Sequence, residues 1–189
     1  METLRAFIAL DMPPEIKAAL ANYAQPLKSL RGRVSWVKSE NLHLTLKFLG
    51  DIPVNRVDEI AAALQEIAAT VTTFSATISG SGAFPNDEHP RVLWVGLNED
   101  GGTLQNLVRA LEARLQRLGF APEKKRFTPH LTIGRVKDAR IPEVIRGLKE
   151  KPFAAISAQF DEIIFMQSEL HPAGSIYTPL RKLALGKSF

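Results

Sequence analysis

The stretch ENLHLTLKFLGD (residues 40–51) has a near repeat later in the chain, FTPHLTIGRVKD (residues 127–138). Each copy contains His-Leu-Thr and a further aliphatic residue, and each is followed by an Ile-Pro pair, at 52–53 and at 141–142. The alternation of polar and apolar side chains in both copies is typical of a β-strand with one buried face. A strand pattern that occurs twice indicates an internal duplication.

The segments around the two motifs follow the same order in both halves of the chain. Each half starts with a strand and an amphipathic helix, continues with the motif strand and ends in a helix that opens at the Ile-Pro pair. The predicted elements are 5–13, 14–30, 43–49 and a helix from 52, then 91–97, 103–118, 130–136 and a helix from 141, with further strands at 74–85, 153–169 and 176–185. Arg5 and Arg91 are 86 positions apart, and His43 and His130 are 87 positions apart. We therefore predict one bilobal α+β domain over residues 1–189, built from repeat units at about 5–85 and 91–170.

The composition excludes several classes of chemistry. The 189 residues include no cysteine, which excludes thiol nucleophiles, disulfides and iron–sulfur clusters, and the net charge of +4 favours an anionic ligand. The apolar run near the N-terminus, residues 7–10, is too short for a signal peptide or a membrane span, so we expect a cytoplasmic protein. Gly80 and Gly82 lack the third glycine of a dinucleotide-binding fingerprint, and no phosphate-binding loop with its lysine is present.

The polar face of each motif strand carries the residues that suggest catalysis. Strict alternation puts His43, Thr45 and Lys47 on one face, with Phe48 on the opposite, core-facing side, and it puts His130 and Thr132 together in the second copy. If a pseudo-two-fold axis relates the lobes, the two polar faces confront each other across a central polar cleft. A neutral imidazole can then act as a base while a protonated one acts as an acid, and the threonine hydroxyls can hold a phosphate.

Such a site is suited to in-line opening of a phosphodiester by water, without a metal or another cofactor. A metal site with two histidines is a weaker alternative, because neither strand places an acidic residue beside its histidine and hydroxyls are poor ligands for transition metals. The symmetry of the motifs leaves open which histidine is the acid and which is the base.

Four flanking residues are further candidates for contacts with a nucleic acid. Arg135 follows the second motif and is suited to bidentate phosphate binding. Lys47 is a candidate for a contact with a backbone phosphate. Trp36 and Phe127 lie in predicted loops before the two motifs and are candidates to stack on a terminal base.

HLTLKFLG and HLTIGRV, with their spacing, resemble the paired His-x-Thr-x signatures of the 2H phosphoesterases. Within that superfamily the chain is most similar to the RNA 2′,3′-cyclic phosphodiesterases, historically called 2′-5′ RNA ligases. The resemblance extends over nearly the whole chain, through RAFIALDMP, WVKSENLHLTLKFLG, RVLWVGL, FTPHLTIGRV and SELHPAGSIYTPL.

The resemblance implies two lobes, each an antiparallel sheet with outer helices, around a polar cleft. It implies that His43 donates a proton, that His130 accepts one from water, and that Thr45 and Thr132 bind the phosphate. The implied substrate is RNA with a 2′,3′-cyclic phosphate terminus, and the implied product is a 2′-phosphomonoester, with 2′-5′ ligation as the reverse reaction. No membrane association or obligate protein partner is expected, and we expect a monomer.

Two other functions remain open from the sequence. The same chemistry could act on a small cyclic nucleotide or on a 2′-5′ oligonucleotide. Alternatively, the chain could be a module that binds RNA ends without catalysis, although such a module has no need of all four motif side chains.

Overall fold

The computed structural model describes residues 2–138, 140–172 and 174–186. The described chain contains nine strands and four α-helices in one α+β arrangement. The strands are β1 (Thr3–Asp11), β2 (Val34–Trp36), β3 (His43–Pro53), β4 (Phe74–Phe84), β5 (Val92–Asn98), β6 (His130–Val136), β7 (Ile156–Phe160), β8 (Glu162–Glu169) and β9 (Ile176–Ala184). The helices are α1 (Pro14–Lys28), α2 (Val57–Thr70), α3 (Thr103–Arg117) and α4 (Pro142–Glu150).

The predicted helices and motif strands are present, with three notable differences. The short strand β2 was not predicted, and the region 153–169 divides into β7 and β8. The prediction that Ile52-Pro53 opens a helix is wrong, because β3 continues to Pro53 and a single 3-10 turn, Val54–Arg56, precedes α2. Pro53 has an extended backbone (φ −61°, ψ 136°), and the strand is held to the end of the sheet by a 3.0 Å hydrogen bond from the Val54 amide to the Glu2 carbonyl.

The strands form two antiparallel sheets that exchange strands between the two halves of the chain. The order is β3-β1-β8-β9 in the first sheet and β2-β6-β5-β4-β7 in the second. β8 and β9 come from the second half of the chain but complete the first sheet, whereas β2 and β4 come from the first half and lie in the second. Each sheet therefore depends on both repeat units, so neither lobe coincides with one half of the chain.

The helices cover one face of each sheet with a continuous hydrophobic core. In α3, for example, four leucines spaced three or four residues apart (104, 107, 111 and 115) are all buried in this core. A second, smaller cluster consists of Phe7, Ala9, Ile164 and Met166, with Tyr177 packed beside it. No helical residue belongs to it, and Ala9 pairs directly with Thr45. This cluster therefore lies on the helix-free face of the first sheet, which also carries the motif side chains.

A β-bulge interrupts the alternation at the same point of both motif strands. In β3 the partner of Ala9 is Thr45 and the partner of Ile8 is Lys47, which leaves Leu46 as the extra residue. In β6, Trp94 pairs with Thr132 and Leu93 with Gly134, which leaves Ile133 unpaired. A bulge reverses the direction in which the following side chains point. Both motif strands therefore present their fourth residue after the histidine to the core and their fifth to the helix-free face.

Candidate active site

Each motif histidine is the first residue of its strand, and its ring is held by the chain just before it. The Nδ1 atom of His43 lies 2.7 Å from the carbonyl oxygen of Asn41. The Nδ1 atom of His130 lies 2.7 Å from the carbonyl oxygen of Thr128. Since a carbonyl oxygen can only accept a hydrogen bond, Nδ1 carries the proton in both rings. Nε2 of each neutral ring is then an unprotonated atom that can accept a proton.

The two threonines follow their histidines by two residues, so they share a face with them. The hydroxyl oxygen of Thr45 lies 3.0 Å from Nε2 of His43. Thr132 occupies the same position in β6 and is half-buried. Each motif therefore supplies a hydroxyl donor beside an imidazole.

Arg135 connects the two motifs. The bulge at Ile133 turns its side chain to the face of His130 and Thr132, where it is exposed. Its charge also lowers the pKa of His43, which lies in the other sheet. β3 and β6 approach each other to within 8 Å between Cα atoms. The two motif strands therefore lie next to each other, and Arg135 is near enough to His43 for its charge to act on the imidazole.

The environment of His43 disfavours its charged form. Burial lowers the pKa of His43, and the positive charges of Lys17 and Arg135 lower it further. The Asn41 carbonyl and the carboxylate of Asp11 act in the opposite direction. Asp11 is the cross-strand partner of His43 and forms a 2.7 Å ion pair with Lys17. The net effect is a pKa below 6.5, so the His43 imidazole is neutral at neutral pH in the free protein.

Aromatic rings lie beside both histidines, and the sequence reasoning missed two of them, Phe7 and Tyr177. The Phe7 ring lies 4.9 Å from that of His43 and 5.0 Å from that of Tyr177, between ring centroids. In the second sheet, the Phe84 ring lies 5.0 Å from that of His130. The position of Phe7 follows from strand alternation. Phe7, Ala9 and Asp11 lie on the same face of β1, and Asp11 is the cross-strand partner of His43.

The prediction that Lys47 lies on the face of His43 is wrong. The bulge at Leu46 turns Lys47 towards the core, where it is 3% exposed. Its Nζ atom donates to both carboxylate oxygens of Glu112 at 2.8 Å and to the carbonyl oxygen of Ala121 at 3.0 Å. These contacts use all three ammonium protons, so the geometry gives no support to a contact between Lys47 and an RNA phosphate.

The positions of three other aromatic residues also differ from those predicted. Phe48 was predicted to lie in the core but is 50% exposed on the helix-free face, for the same reason that Lys47 is buried. Trp36 and Phe127 are half-buried and pack against the main hydrophobic core. Trp36 pairs with Gly134, which is core-facing, so its ring lies on the side of the sheet away from His130. The structure therefore does not bring Trp36 to the motif side chains, and the observed contact of Phe127 is with the core.

Two further observations concern metals and membranes. Within residues 2–138, 140–172 and 174–186, no group of three or more His, Asp or Glu side chains is arranged to hold a metal ion. None of the helices in the described chain has the length and apolarity needed to span a bilayer.

Comparison with known proteins gives a consistent family assignment. A family model described as LigT like phosphoesterase matches the chain twice, at residues 10–94 and 95–177. An RNA 2′,3′-cyclic phosphodiesterase of Methanothermobacter thermautotrophicus is 35% identical over 186 residues, covering 96% of this chain and 99% of that protein. A protein of the same name from Thermotoga maritima is 36% identical over 178 residues, covering 94% and 93%.

Solved structures show the same fold. A crystal structure of a Thermus thermophilus protein superimposes with a TM-score of 0.84 and 29% identity, covering 98% of this chain and all 100% of that one. Escherichia coli LigT in complex with 3′-AMP gives a TM-score of 0.79 and 27% identity, covering 97% and 99%. The chain belongs to the LigT like phosphoesterase family, within the 2H phosphoesterase superfamily.

Proposed function

We propose that the protein hydrolyses the 2′,3′-cyclic phosphate at the end of an RNA chain to a 2′-phosphomonoester. The observation that supports the proposal is the pair of imidazoles with fixed tautomers, His43 and His130, each at the start of a motif strand, with Arg135 near enough to His43 for its charge to act on the ring. The names of relatives from several organisms, which are RNA 2′,3′-cyclic phosphodiesterases, support the choice of substrate.

The reaction follows from the arrangement of the Nε2 atoms. His130 accepts a proton from water as the water oxygen attacks phosphorus, and His43 donates a proton to the departing 3′-oxygen. The bond between phosphorus and the 3′-oxygen breaks, which leaves a 2′-phosphate and a free 3′-hydroxyl. Thr45, Thr132 and Arg135 donate hydrogen bonds to the phosphate oxygens, on which negative charge accumulates. If a 5′-hydroxyl attacks the cyclic phosphate in place of water, the bond between phosphorus and the 3′-oxygen breaks in the same way and the product is a 2′-5′ phosphodiester, which would be ligation.

Because the pKa of His43 is low, His43 can act as the general acid only if substrate binding raises that pKa. A general acid must carry a proton when the reaction starts, but burial keeps His43 neutral in the free protein at neutral pH. An anionic phosphate bound next to the ring favours the protonated form and raises the pKa. Substrate binding would therefore charge His43 for its role as the proton donor.

The experiment that tests the substrate class compares three cyclic or 2′-5′-linked compounds in the presence of EDTA. The compounds are a short RNA with a 2′,3′-cyclic phosphate end, a 2′,3′-cyclic mononucleotide, and a 2′-5′ dinucleotide. The proposal predicts the highest kcat/KM for the RNA and a product with a 2′-phosphate only. A 3′-phosphate product, or the loss of turnover in EDTA, would contradict the proposed mechanism.

A small nucleotide is the second candidate substrate. One relative, Escherichia coli LigT, was crystallised with the mononucleotide 3′-AMP. A kcat/KM for the cyclic mononucleotide that equals or exceeds the value for RNA would favour this candidate. Binding of RNA without turnover of any of the three compounds would favour a non-catalytic module.

A further inference from the structure

One asparagine, Asn41, joins the segment before the first motif strand to the segment before β9. Its side-chain Nδ2 atom donates a hydrogen bond to the carbonyl oxygen of Ser175 at 2.7 Å. Since a carbonyl oxygen can only accept a hydrogen bond, the amide nitrogen is the atom that faces Ser175. The two residues are 134 positions apart in the chain. The bond therefore connects parts of the chain that no local structure brings together.

The bond lies next to a contact between two rings. Asn41 is two residues before His43, and Ser175 is two residues before Tyr177. The rings of His43 and Tyr177 are 5.1 Å apart between centroids and nearly perpendicular, at 87°. β3 and β9 are at opposite edges of the first sheet, so the ladder of the sheet does not pair them with each other. The amide bond and the ring contact connect these two edges.

The backbone of Asn41 orients the imidazole of His43. The Asn41 carbonyl oxygen accepts the Nδ1 proton of His43 at 2.7 Å, and Nε2 of the ring lies 3.0 Å from the hydroxyl oxygen of Thr45. Any displacement of the Asn41 carbonyl therefore changes the direction in which Nε2 points. One residue thus holds the imidazole with its backbone and the segment before β9 with its side chain.

The turn that contains Asn41 has little support from its own hydrogen bonds. Ser39–Asn41 form a single 3-10 turn, a structure with poorer hydrogen-bond geometry than an α-helix. Two hydrogen bonds join this turn to distant residues of the described chain. The bond from the Ser39 hydroxyl to the Lys17 carbonyl is long, at 3.4 Å, whereas the bond from Asn41 to Ser175 is 2.7 Å. The bond to Ser175 is therefore the stronger of the two constraints on the turn.

The second motif is built differently at the equivalent position. The carbonyl oxygen of Thr128 holds the Nδ1 proton of His130, as that of Asn41 holds the proton of His43. Thr128 is exposed and carries no amide, whereas Asn41 is half-buried. The long-range bond thus belongs to the motif whose histidine is assigned the role of proton donor. A donor must aim its proton at one atom, the departing 3′-oxygen.

We propose that Asn41 is a positioning residue for the proton donor, and that it fixes the direction of the His43 imidazole by fastening the preceding turn to Ser175. The effect on rate rests on the proposed function, because it takes His43 as the general acid. The effect on the ring itself does not depend on that reaction. Asn41 acts through His43 and has no contact with substrate in this proposal.

Three substitutions separate the hydrogen bond from the shape and charge of the side chain. Asn41→Leu and Asn41→Asp both keep the approximate shape and, at neutral pH, both lack the donor, but only Asn41→Asp adds a negative charge. Asn98→Leu is the matched control, because the Asn98 side chain also donates an amide hydrogen bond, to Asp100 at 2.6 Å. Asn98 is exposed and lies at the end of β5, in the other sheet.

Two measurements are made on each variant. Long-range proton–nitrogen NMR spectra of the neutral ring report which nitrogen of His43 carries the proton. Steady-state kinetics compare an RNA that ends in a 2′,3′-cyclic phosphate with an aryl phosphodiester whose leaving group needs no general acid.

The expected pattern is selective for the step that uses the proton of His43. Both Asn41 variants should lower kcat on the RNA by about 10- to 100-fold, since a displacement of about 1 Å costs up to about 10²-fold, with little change in KM. Both should retain most of the kcat on the aryl ester and show His43 with its proton on either nitrogen instead of on Nδ1 alone. Asn98→Leu should match the wild type in all three values.

Four results would overturn the proposal. They are a wild-type kcat on the RNA in Asn41→Leu, a loss confined to Asn41→Asp, an equal loss on the RNA and the aryl ester, and a His43 proton that stays on Nδ1 alone in both Asn41 variants. The proposed reaction is judged separately, from the turnover of the RNA by the wild type. A wild type that does not open the cyclic phosphate would contradict the reaction, while the position of the His43 proton in the variants would still decide whether Asn41 fixes the ring.

Discussion

The contact between Lys47 and Glu112 allows a prediction whose size follows from the structure. The Lys47 side chain is 2% exposed and the Glu112 side chain 21% exposed, and Lys47 Nζ also donates to the Ala121 carbonyl. Lys47→Met would keep the aliphatic volume but leave the Ala121 carbonyl oxygen without its ammonium donor and the Glu112 carboxylate with only the Glu123 amide, at 3.3 Å. Removing one partner of a buried ion pair costs about 3–5 kcal/mol. Because Glu112 retains some contact with water, we expect the lower end, a loss of about 3 kcal/mol in the free energy of unfolding.

Urea unfolding of three variants checks this value. The double variant Lys47→Met/Glu112→Leu should recover at least half of the loss, because it removes the unpaired charge as well. The control is Arg114→Met, which breaks the exposed Arg114–Glu66 pair (side chains 32% and 66% exposed) and should cost at most about 1 kcal/mol. A loss below about 1 kcal/mol for Lys47→Met would refute the reasoning from burial.

Four further predictions concern the site and its support. In NMR titrations the pKa of His43 should lie below 6.5 in the free protein and should rise when phosphate binds. It should also rise in Arg135→Ala, because this substitution removes a nearby positive charge. An unchanged pKa of His43 in Arg135→Ala would contradict the shared site. The free energy of unfolding should fall as the pH drops from about 6.5 through this lowered pKa, because His43 binds a proton at a higher pH in the unfolded chain than in the folded protein. In urea titrations at several pH values, His43→Gln should remove that part of the pH dependence. On an aryl phosphodiester whose leaving group needs no general acid, His43→Gln should lose far less kcat than His130→Gln, and equal losses would contradict the assigned roles. Gly82→Ala would place Cβ 2.5 Å from a Trp94 ring carbon. We therefore expect the free energy of unfolding in urea to fall by about 1–3 kcal/mol and the tryptophan fluorescence spectrum to change. Wild-type values of both would contradict the packing of Gly82 against Trp94.

The sequence predicted those parts of the fold that depend on periodicity. The leucine stripe of α3 and the alternation at the start of both motif strands are set by local burial, which is visible in residue types. The exchange of strands between the sheets was not predictable in this way. An apolar strand such as β8 needs two buried faces, and its residues do not specify which of the two sheets provides the neighbouring strands.

The bulges mark the limit of sequence reasoning at the site itself. Strict alternation places Lys47 with His43 and places Arg135 on the core side, and the structure reverses both. A bulge adds a single residue to a strand and leaves no consistent trace in residue type, since the residues after it are Lys-Phe in one copy and Gly-Arg in the other. The one available signal was Arg135, because an arginine at a position that alternation assigns to the core indicates that the alternation stops before it.

The histidines and threonines were easier to predict because they precede the bulges. At positions 43, 45, 130 and 132 the period of two still holds, so residue type and face agree. The proposed acid and base roles depend instead on burial and on neighbouring charge, such as Asp11 and Lys17 beside His43, which come from distant parts of the chain.

The most direct test of the two-histidine site is the rate at which a short RNA with a 2′,3′-cyclic phosphate end is opened in EDTA by the wild type, His43→Gln and His130→Gln. We predict that each substitution lowers kcat by about 10²–10⁴-fold, the usual contribution of a positioned acid or base, while both variants unfold cooperatively in urea like folded proteins. A folded variant of either histidine that retains the wild-type rate would contradict the paired acid–base mechanism.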